Sequence, residues 1–142
     1  MIKVTTDARV TWVEETRFVG QASSGHAIVV DGSTEKFAPS PMELVLIGLA
    51  GCTAYDVLSI LRKKRQDVTG LEVIACADRA EHPPRVYTSI LVEYVVRGRG
   101  IGVKAVEDAI RLSKEKYCSA SIMLGKTASI KTAFRIDEEP GA

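Results

Sequence analysis

The sequence predicts an α+β fold with its elements in the order βββ-α-ββ-α-α-β. Three observations lead to it. Short alternating segments separated by turn residues fill the opening part of the chain. A long apolar stretch then begins on a helix-start signature. Alternating segments return afterwards, on either side of a second helical pattern. A length of 142 residues fits one domain spanning residues 1–142.

The first predicted strand carries Val10 and Trp12, and a segment from Arg17 to Ala22 pairs with it. Ser23, Ser24 and Gly25 mark a turn before a third strand from Ala27 to Val30, closed by Asp31 and Gly32. After a loop, Ser40 has the character of an N-cap, Pro41 of a first helical residue, and Glu43 of the reciprocal partner three residues past the cap. The helix extends to about Arg65. Its apolar residues cover most of the circumference, which predicts burial on most sides. Gly48 and Gly51 are unfavourable inside a helix by about 1 kcal/mol each. A second helix crossing near residues 48–52, supplied by a partner subunit, would offset that cost.

Thr69 and Gly70 are read as a break. A strand from Leu71 to Ala77 follows it, then a turn around Pro83 and Pro84, and a long strand from Val86 to Val96. Glycines at 98–102 interrupt the pattern. A helix over residues 103–116 places Val103, Val106, Ile110 and Ser113 or Tyr117 on one stripe. A short helix starts at Cys118 and closes at Gly125, and Ala128 to Ile136 forms the last strand, followed by an exposed tail. Trp12, Phe18 and Tyr55 read as core or dimer residues.

Nineteen basic residues against eighteen acidic ones give a formal net charge of +1, so there is no electrostatic case for nucleic acid. The run from Arg62 to Arg65 suits a helix C-terminus. Lys3, Asp7 and Arg9 interrupt any apolar leader, and the uncharged run over residues 44–55 is shorter than the ~20 residues a bilayer requires. No membrane association is therefore expected. Three cysteines without a secretory signal suggest free thiols in the cytoplasm. His26 and His82 lack metal-ligand spacing, and no metal site is expected.

Chemistry concentrates on cysteine. Cys52 sits within the apolar helix, and Cys118 at a helix start, where free N–H groups and the dipole favour a thiolate. They stand 66 residues apart, and a free cysteine is equally well a small buried hydrophobe. Cys76, in a strand without a motif, reads as a packing residue.

The run Ser40-Pro41-Met42-Glu43-Leu44 with Gly51-Cys52-Thr53, and the later Lys116-Tyr117-Cys118-Ser119-Ala120-Ser121, resemble the two cysteine motifs of the OsmC/Ohr family. That family comprises osmotically inducible and organic hydroperoxide resistance proteins, and the resemblance is to an OsmC-like branch of it. It implies an intertwined homodimer with a buried central helix and a site at the subunit boundary. It further implies a thiol-dependent peroxidase acting on organic hydroperoxides, with Cys52 peroxidatic and Cys118 resolving. An external dithiol or a lipoylated protein would serve as reductant, and neither cofactor nor metal is required.

The family activates its peroxidatic cysteine with a glutamate and an arginine. The glutamate's place, ten residues before the cysteine, holds Met42 here. Glu43, nine before, is rotated by about 900° and displaced by about 13 Å along a straight helix, which suits a capping role, with activation or substrate contact across the subunit boundary as the alternative. Arg17 is the candidate arginine, alternatively a solvated strand residue. Asp56, at i+4 from Cys52, shares its helical face and is a candidate for substrate contact or for pairing across the dimer. A non-enzymatic protein binding an apolar small molecule on the same fold is the alternative. An acyl thioesterase of hotdog type is a third reading, disfavoured by the element order.

Overall fold

The computed structural model describes residues 6–33 and 35–140. Lys3, Thr34 in the loop and the last two residues of the tail lie outside the described residues. The elements are β1 (Ala8–Glu14), β2 (Arg17–Ala22), β3 (Ala27–Asp31), α1 (Pro41–Lys63), β4 (Asp67–Arg79), β5 (Tyr87–Arg99), α2 (Val103–Leu112), a π-helical turn (Ser113–Tyr117), α3 (Ser119–Leu124) and β6 (Ser129–Glu138). The predicted α+β order is the observed one. The chain divides between Val45 and Leu46 into two compact units.

The first unit holds an antiparallel sheet in the order β1-β2-β3. Asp31 ends β3 almost fully buried. It accepts from Thr16 Oγ1 at 2.6 Å, from the Ser33 N–H at 2.8 Å and from the Phe37 N–H at 3.3 Å. These donors, the Thr16 hydroxyl foremost, hold its carboxyl down at about 2. Trp12 is 63% exposed, so it is not a core residue of the chain; its indole donates to the Glu15 carbonyl.

The second unit is built on a sheet in the order β4-β5-β6, with β4 antiparallel and β6 parallel to the central β5. Alternation along β5 buries Ile90, Val92, Tyr94 and Val96. On α1, Leu49, Thr53, Val57 and Leu61 form a buried stripe at i, i+4 spacing. On the next helix Val106, Ala109 and Ile110 are buried, with Ser113 continuing the stripe, while Val103 and Tyr117 are exposed.

Several boundaries differ from expectation. Thr69 and Gly70 lie inside β4, because a register shift between Val68 and Gly70 absorbs the irregularity without ending the pairing. Gly98 also belongs to a strand: a Cβ there would come within 2.2 Å of the Asp67 carbonyl oxygen, so the close approach of β4 requires glycine. The last strand runs on to Glu138. Cys76 is exposed, on the outward side of the β4 alternation, and packs into no core.

α1 ends at Lys63, followed by Arg65 at φ 60°. The Arg65 N–H reaches the Arg62 carbonyl at 2.9 Å and the Gln66 N–H reaches Leu61 at 3.0 Å, a Schellman closure with arginine in the left-handed position. Burial of α1 within the chain is confined to its inner stripe. Ile47 is 56% and Tyr55 77% exposed, and nothing lies within 4 Å of where a Cβ would stand on Gly48 or Gly51. The whole helix, unlike its uncharged run alone, is long and apolar enough to cross a membrane by length and composition, a test that core helices also pass.

Candidate functional site

The predicted cap of α1 forms as a reciprocal pair. The Ser40 N–H donates to Glu43 Oε1 at 3.2 Å, and the Glu43 N–H donates to Ser40 Oγ at 3.1 Å. The Ser40 N–H, then the Ser40 hydroxyl, lower the Glu43 pKa. Glu43 is thus occupied in capping. Arg17 is engaged within the first unit too: its guanidinium meets Glu14 at 3.2 Å and stacks 4.1 Å from the Phe37 ring centroid.

Further along α1, within the second unit, Cys52 is half-buried and Cys118 fully buried, both as free thiols. The two sulfurs and a carboxylate oxygen of Asp56 all lie within 4.8 Å of one another. Cys52 and Asp56 project together because four residues along a helix return to the same face. Cys118 reaches them through the π-helical turn. Its N–H closes that turn on the Ser113 carbonyl at 2.7 Å, and its extended backbone (φ −79°, ψ 101°) caps α3. The extra residue of a π turn re-aims the chain beyond it, a device common at functional sites.

Cys118 acts as the expected N-cap, its Sγ accepting from the Ser121 N–H at 3.3 Å. The expectation that this position favours a thiolate is reversed by burial, which pushes the Cys118 thiol up. The Ser121 donor opposes that shift, and the neighbouring Cys52 adds to it. Cys118 is therefore a neutral thiol at neutral pH.

A chain of buried hydroxyls stands behind the sulfurs. Thr53 Oγ1 lies 2.7 Å from Tyr94 Oη and 2.8 Å from Ser113 Oγ, and Ser113 Oγ donates to Asp56 Oδ2 at 3.0 Å. Proton counting orients it. Ser113 spends its hydrogen on Asp56, so Thr53 donates to Ser113 and Tyr94 donates to Thr53. Burial raises the Tyr94 pKa, with the Thr53 hydrogen bond working against the shift. Asp56 is consequently partnered within its own chain, whereas the sequence offered pairing across a dimer. Sequence reasoning missed Thr53, Tyr94, Ser113 and Ser121. Their one signal is a hydroxyl at a position the apolar period assigns to the core.

A family model described as OsmC-like protein matches residues 31–133. Protein YhfA of Escherichia coli strain K12 is 46% identical over 129 residues, 91% of this chain and 96% of the relative. The crystal structure of a hypothetical protein from Aquifex aeolicus VF5 superposes with TM-score 0.87 at 30% identity, covering 98% of this chain and 100% of that one. An organic hydroperoxide resistance protein, OsmC, from Legionella pneumophila shares the fold at TM-score 0.69 and 13% identity, covering 94% of this chain and 98% of that one. Matching by family model over most of its length, and resembling YhfA almost end to end, the chain belongs to the OsmC-like family.

Proposed function

We propose that the protein reduces organic hydroperoxides through Cys52 and Cys118. The observation carrying this reading is the approach of two sulfurs, 66 residues apart, to within 4.8 Å. The fold-level kinship with proteins named for organic hydroperoxide resistance supports it.

The half-buried Cys52 is the accessible sulfur and takes the peroxidatic role; the fully buried Cys118 resolves. Asp56 accepts the Cys52 thiol proton, and the thiolate attacks the distal peroxide oxygen. The O–O bond breaks, the alkoxide takes that proton from Asp56 and leaves as alcohol, and Cys52 becomes a sulfenic acid. Cys118 sulfur then attacks the sulfenic sulfur. Its own proton and the sulfenic hydroxyl depart as water, and a disulfide remains. An external dithiol, free or on a lipoylated protein, returns both thiols by exchange. Sulfur carries both electrons throughout.

Two copies of the chain complete the molecule in this reading. The uncovered face of α1, with Ile47 and Tyr55 exposed and Gly48 and Gly51 open to close approach, suits a second α1. The free thiols suit a reducing cytoplasm.

The test is consumption of cumene hydroperoxide with dithiothreitol or a lipoylated protein as reductant. Cys52→Ser is expected to abolish turnover, and Cys118→Ser to leave a Cys52 sulfenic acid that dimedone traps. Undiminished turnover in Cys52→Ser would remove the assigned nucleophile. A wild-type thiol pair that consumes no peroxide would favour the binding-protein alternative.

A further inference from the structure

We propose that Cys52, Asp56 and Cys118 form a binding site for a thiophilic divalent cation, Zn²⁺ in particular, which holds the reduced protein in a protected state. The argument begins with donor geometry. Two sulfurs and one carboxylate oxygen lie mutually within 4.8 Å. Around a four-coordinate zinc, with Zn–S near about 2.3 Å and Zn–O near about 2.0 Å, neighbouring ligand atoms stand roughly 3.5–3.8 Å apart. A contraction within the reach of side-chain rotation closes the three onto one ion. Two of them leave α1 at i, i+4 and so converge without backbone movement. The third arrives from the residue that caps α3.

The surrounding hydrogen bonds are those a metal centre needs. Ser113 Oγ holds Asp56 Oδ2 at 3.0 Å, which fixes the carboxylate and leaves it lone pairs for the ion. The Ser121 N–H holds Cys118 Sγ at 3.3 Å in a direction that stabilises the metal-bound thiolate. Two of the three ligands are therefore oriented by a second layer of donors, and that layer runs on through Thr53 to Tyr94.

Ligand chemistry selects the cation. Two thiolates exclude Mg²⁺ and Ca²⁺, which take oxygen. The carboxylate beside them suits Zn²⁺ over the softer Cu⁺. Two thiolates and a carboxylate bring three negative charges to an ion of two, so the fourth position falls to water. Each zinc bound releases the two thiol protons to solvent, and affinity rises with pH. The same sulfurs cannot hold zinc and form a disulfide, so metal binding and oxidation exclude one another.

The inference does not depend on the peroxidase reading, and its test contains no peroxide. The reduced, full-length protein, stripped with a chelator, is titrated with Zn²⁺ by calorimetry in buffers of different protonation enthalpy. Its coordination is then read by zinc X-ray absorption. One ion per chain is expected, with two protons released, two sulfur neighbours near about 2.3 Å and oxygen near about 2.0 Å. Asp56→Asn, nearly isosteric, is expected to weaken binding at least about tenfold and to keep both sulfurs in the shell. Cys52→Ser is expected to abolish the site, and Cys76→Ser to leave it unchanged. Wild-type protein oxidised to the disulfide, with every side chain retained, is expected to take up no zinc.

Zinc bound equally by Cys52→Ser would overturn the proposal as an adventitious ion only. An Asp56→Asn protein with unchanged affinity and spectrum would reduce the site to a dithiol and refute the three-ligand assignment. Peroxide turnover is assayed separately with chelator present. Loss of turnover with intact zinc binding refutes the peroxidase reading alone. Intact turnover without zinc binding refutes this one alone.

Discussion

Thr53→Val tests the buried hydroxyl chain. Valine has the shape of threonine and a similar helix propensity, so the packing of the α1 stripe survives. What disappears is the oxygen lying 2.7 Å from Tyr94 Oη and 2.8 Å from Ser113 Oγ. Ser113 keeps its own hydrogen on Asp56 and loses only an incoming donor, at about 1 kcal/mol. Tyr94 fares worse. Its hydroxyl was the donor to Thr53, and at 2% residue exposure it has no access to bulk water; an orphaned buried donor costs about 1–3 kcal/mol. The sum is roughly 2–4 kcal/mol, a fall in Tm of about 6–14 °C for a chain of this size. Equilibrium urea unfolding at fixed protein concentration measures it, provided the m-value is unchanged. The sharper result is the double mutant. Tyr94→Phe alone removes one donor and costs about 1 kcal/mol, because Thr53 still donates to Ser113. In the Thr53→Val background the same change removes the orphan and is expected to restore about 1–2 kcal/mol. A Thr53→Val protein within about 0.5 kcal/mol of wild type, or a double mutant whose losses simply add, would refute the deduced direction of the chain.

The geometry sets further outcomes. The Asp31 carboxyl, lowered from 3.8 to about 2, contributes stability that is complete above 3.8 and lost as pH falls through about 2. Fluorescence of Trp12, the one tryptophan, should report a first-unit transition in that window, flattened in Asp31→Asn. Iodoacetamide at neutral pH should modify exposed Cys76 well before buried Cys118, followed by peptide mass spectrometry. Stability held by the protonated Cys118 thiol is complete below 9.0 and is lost as pH rises through its raised folded pKa, a loss Cys118→Ser should reduce. Arg65→Gly should raise stability by about 1 kcal/mol in chemical denaturation, since a non-glycine residue in the left-handed position costs about 1–2 kcal/mol. In the proposed dimer, Ile47→Asp should lower the mass measured by light scattering from that of two chains to that of one while secondary structure persists; an unchanged mass would take this face of α1 out of the proposed interface.

The element order was legible because each element rests on local signals. The strand read from Val86 to Val96 forms as β5, and the Ser40–Glu43 pair closes as its spacing requires. Structure and local signal part where a tertiary contact reinterprets that signal. Gly70 and Gly98 read as breaks because glycine usually marks them. In the fold, Gly98 marks a place where the β4 backbone comes too close for any side chain, and Gly70 the register shift of that same strand.

The site shows the same division at greater range. The two cysteines are legible through their motifs, and the electrostatics of Cys118 are not: a cap position is visible in sequence, whereas the burial that outweighs it is not. The hydroxyl chain lay beyond local reasoning altogether. Thr53 bonds Tyr94 across 41 residues and Ser113 across 60, and each occupies a position that the apolar period fills equally well with valine, phenylalanine or alanine. A period records which side of an element faces inward and carries no information about which inward groups meet. Three hydroxyls and a carboxylate on three different elements are therefore indistinguishable from accidents of composition until the fold joins them. Their joint satisfaction in one direction, ending beside both sulfurs, is the reason to regard Asp56 as part of the site.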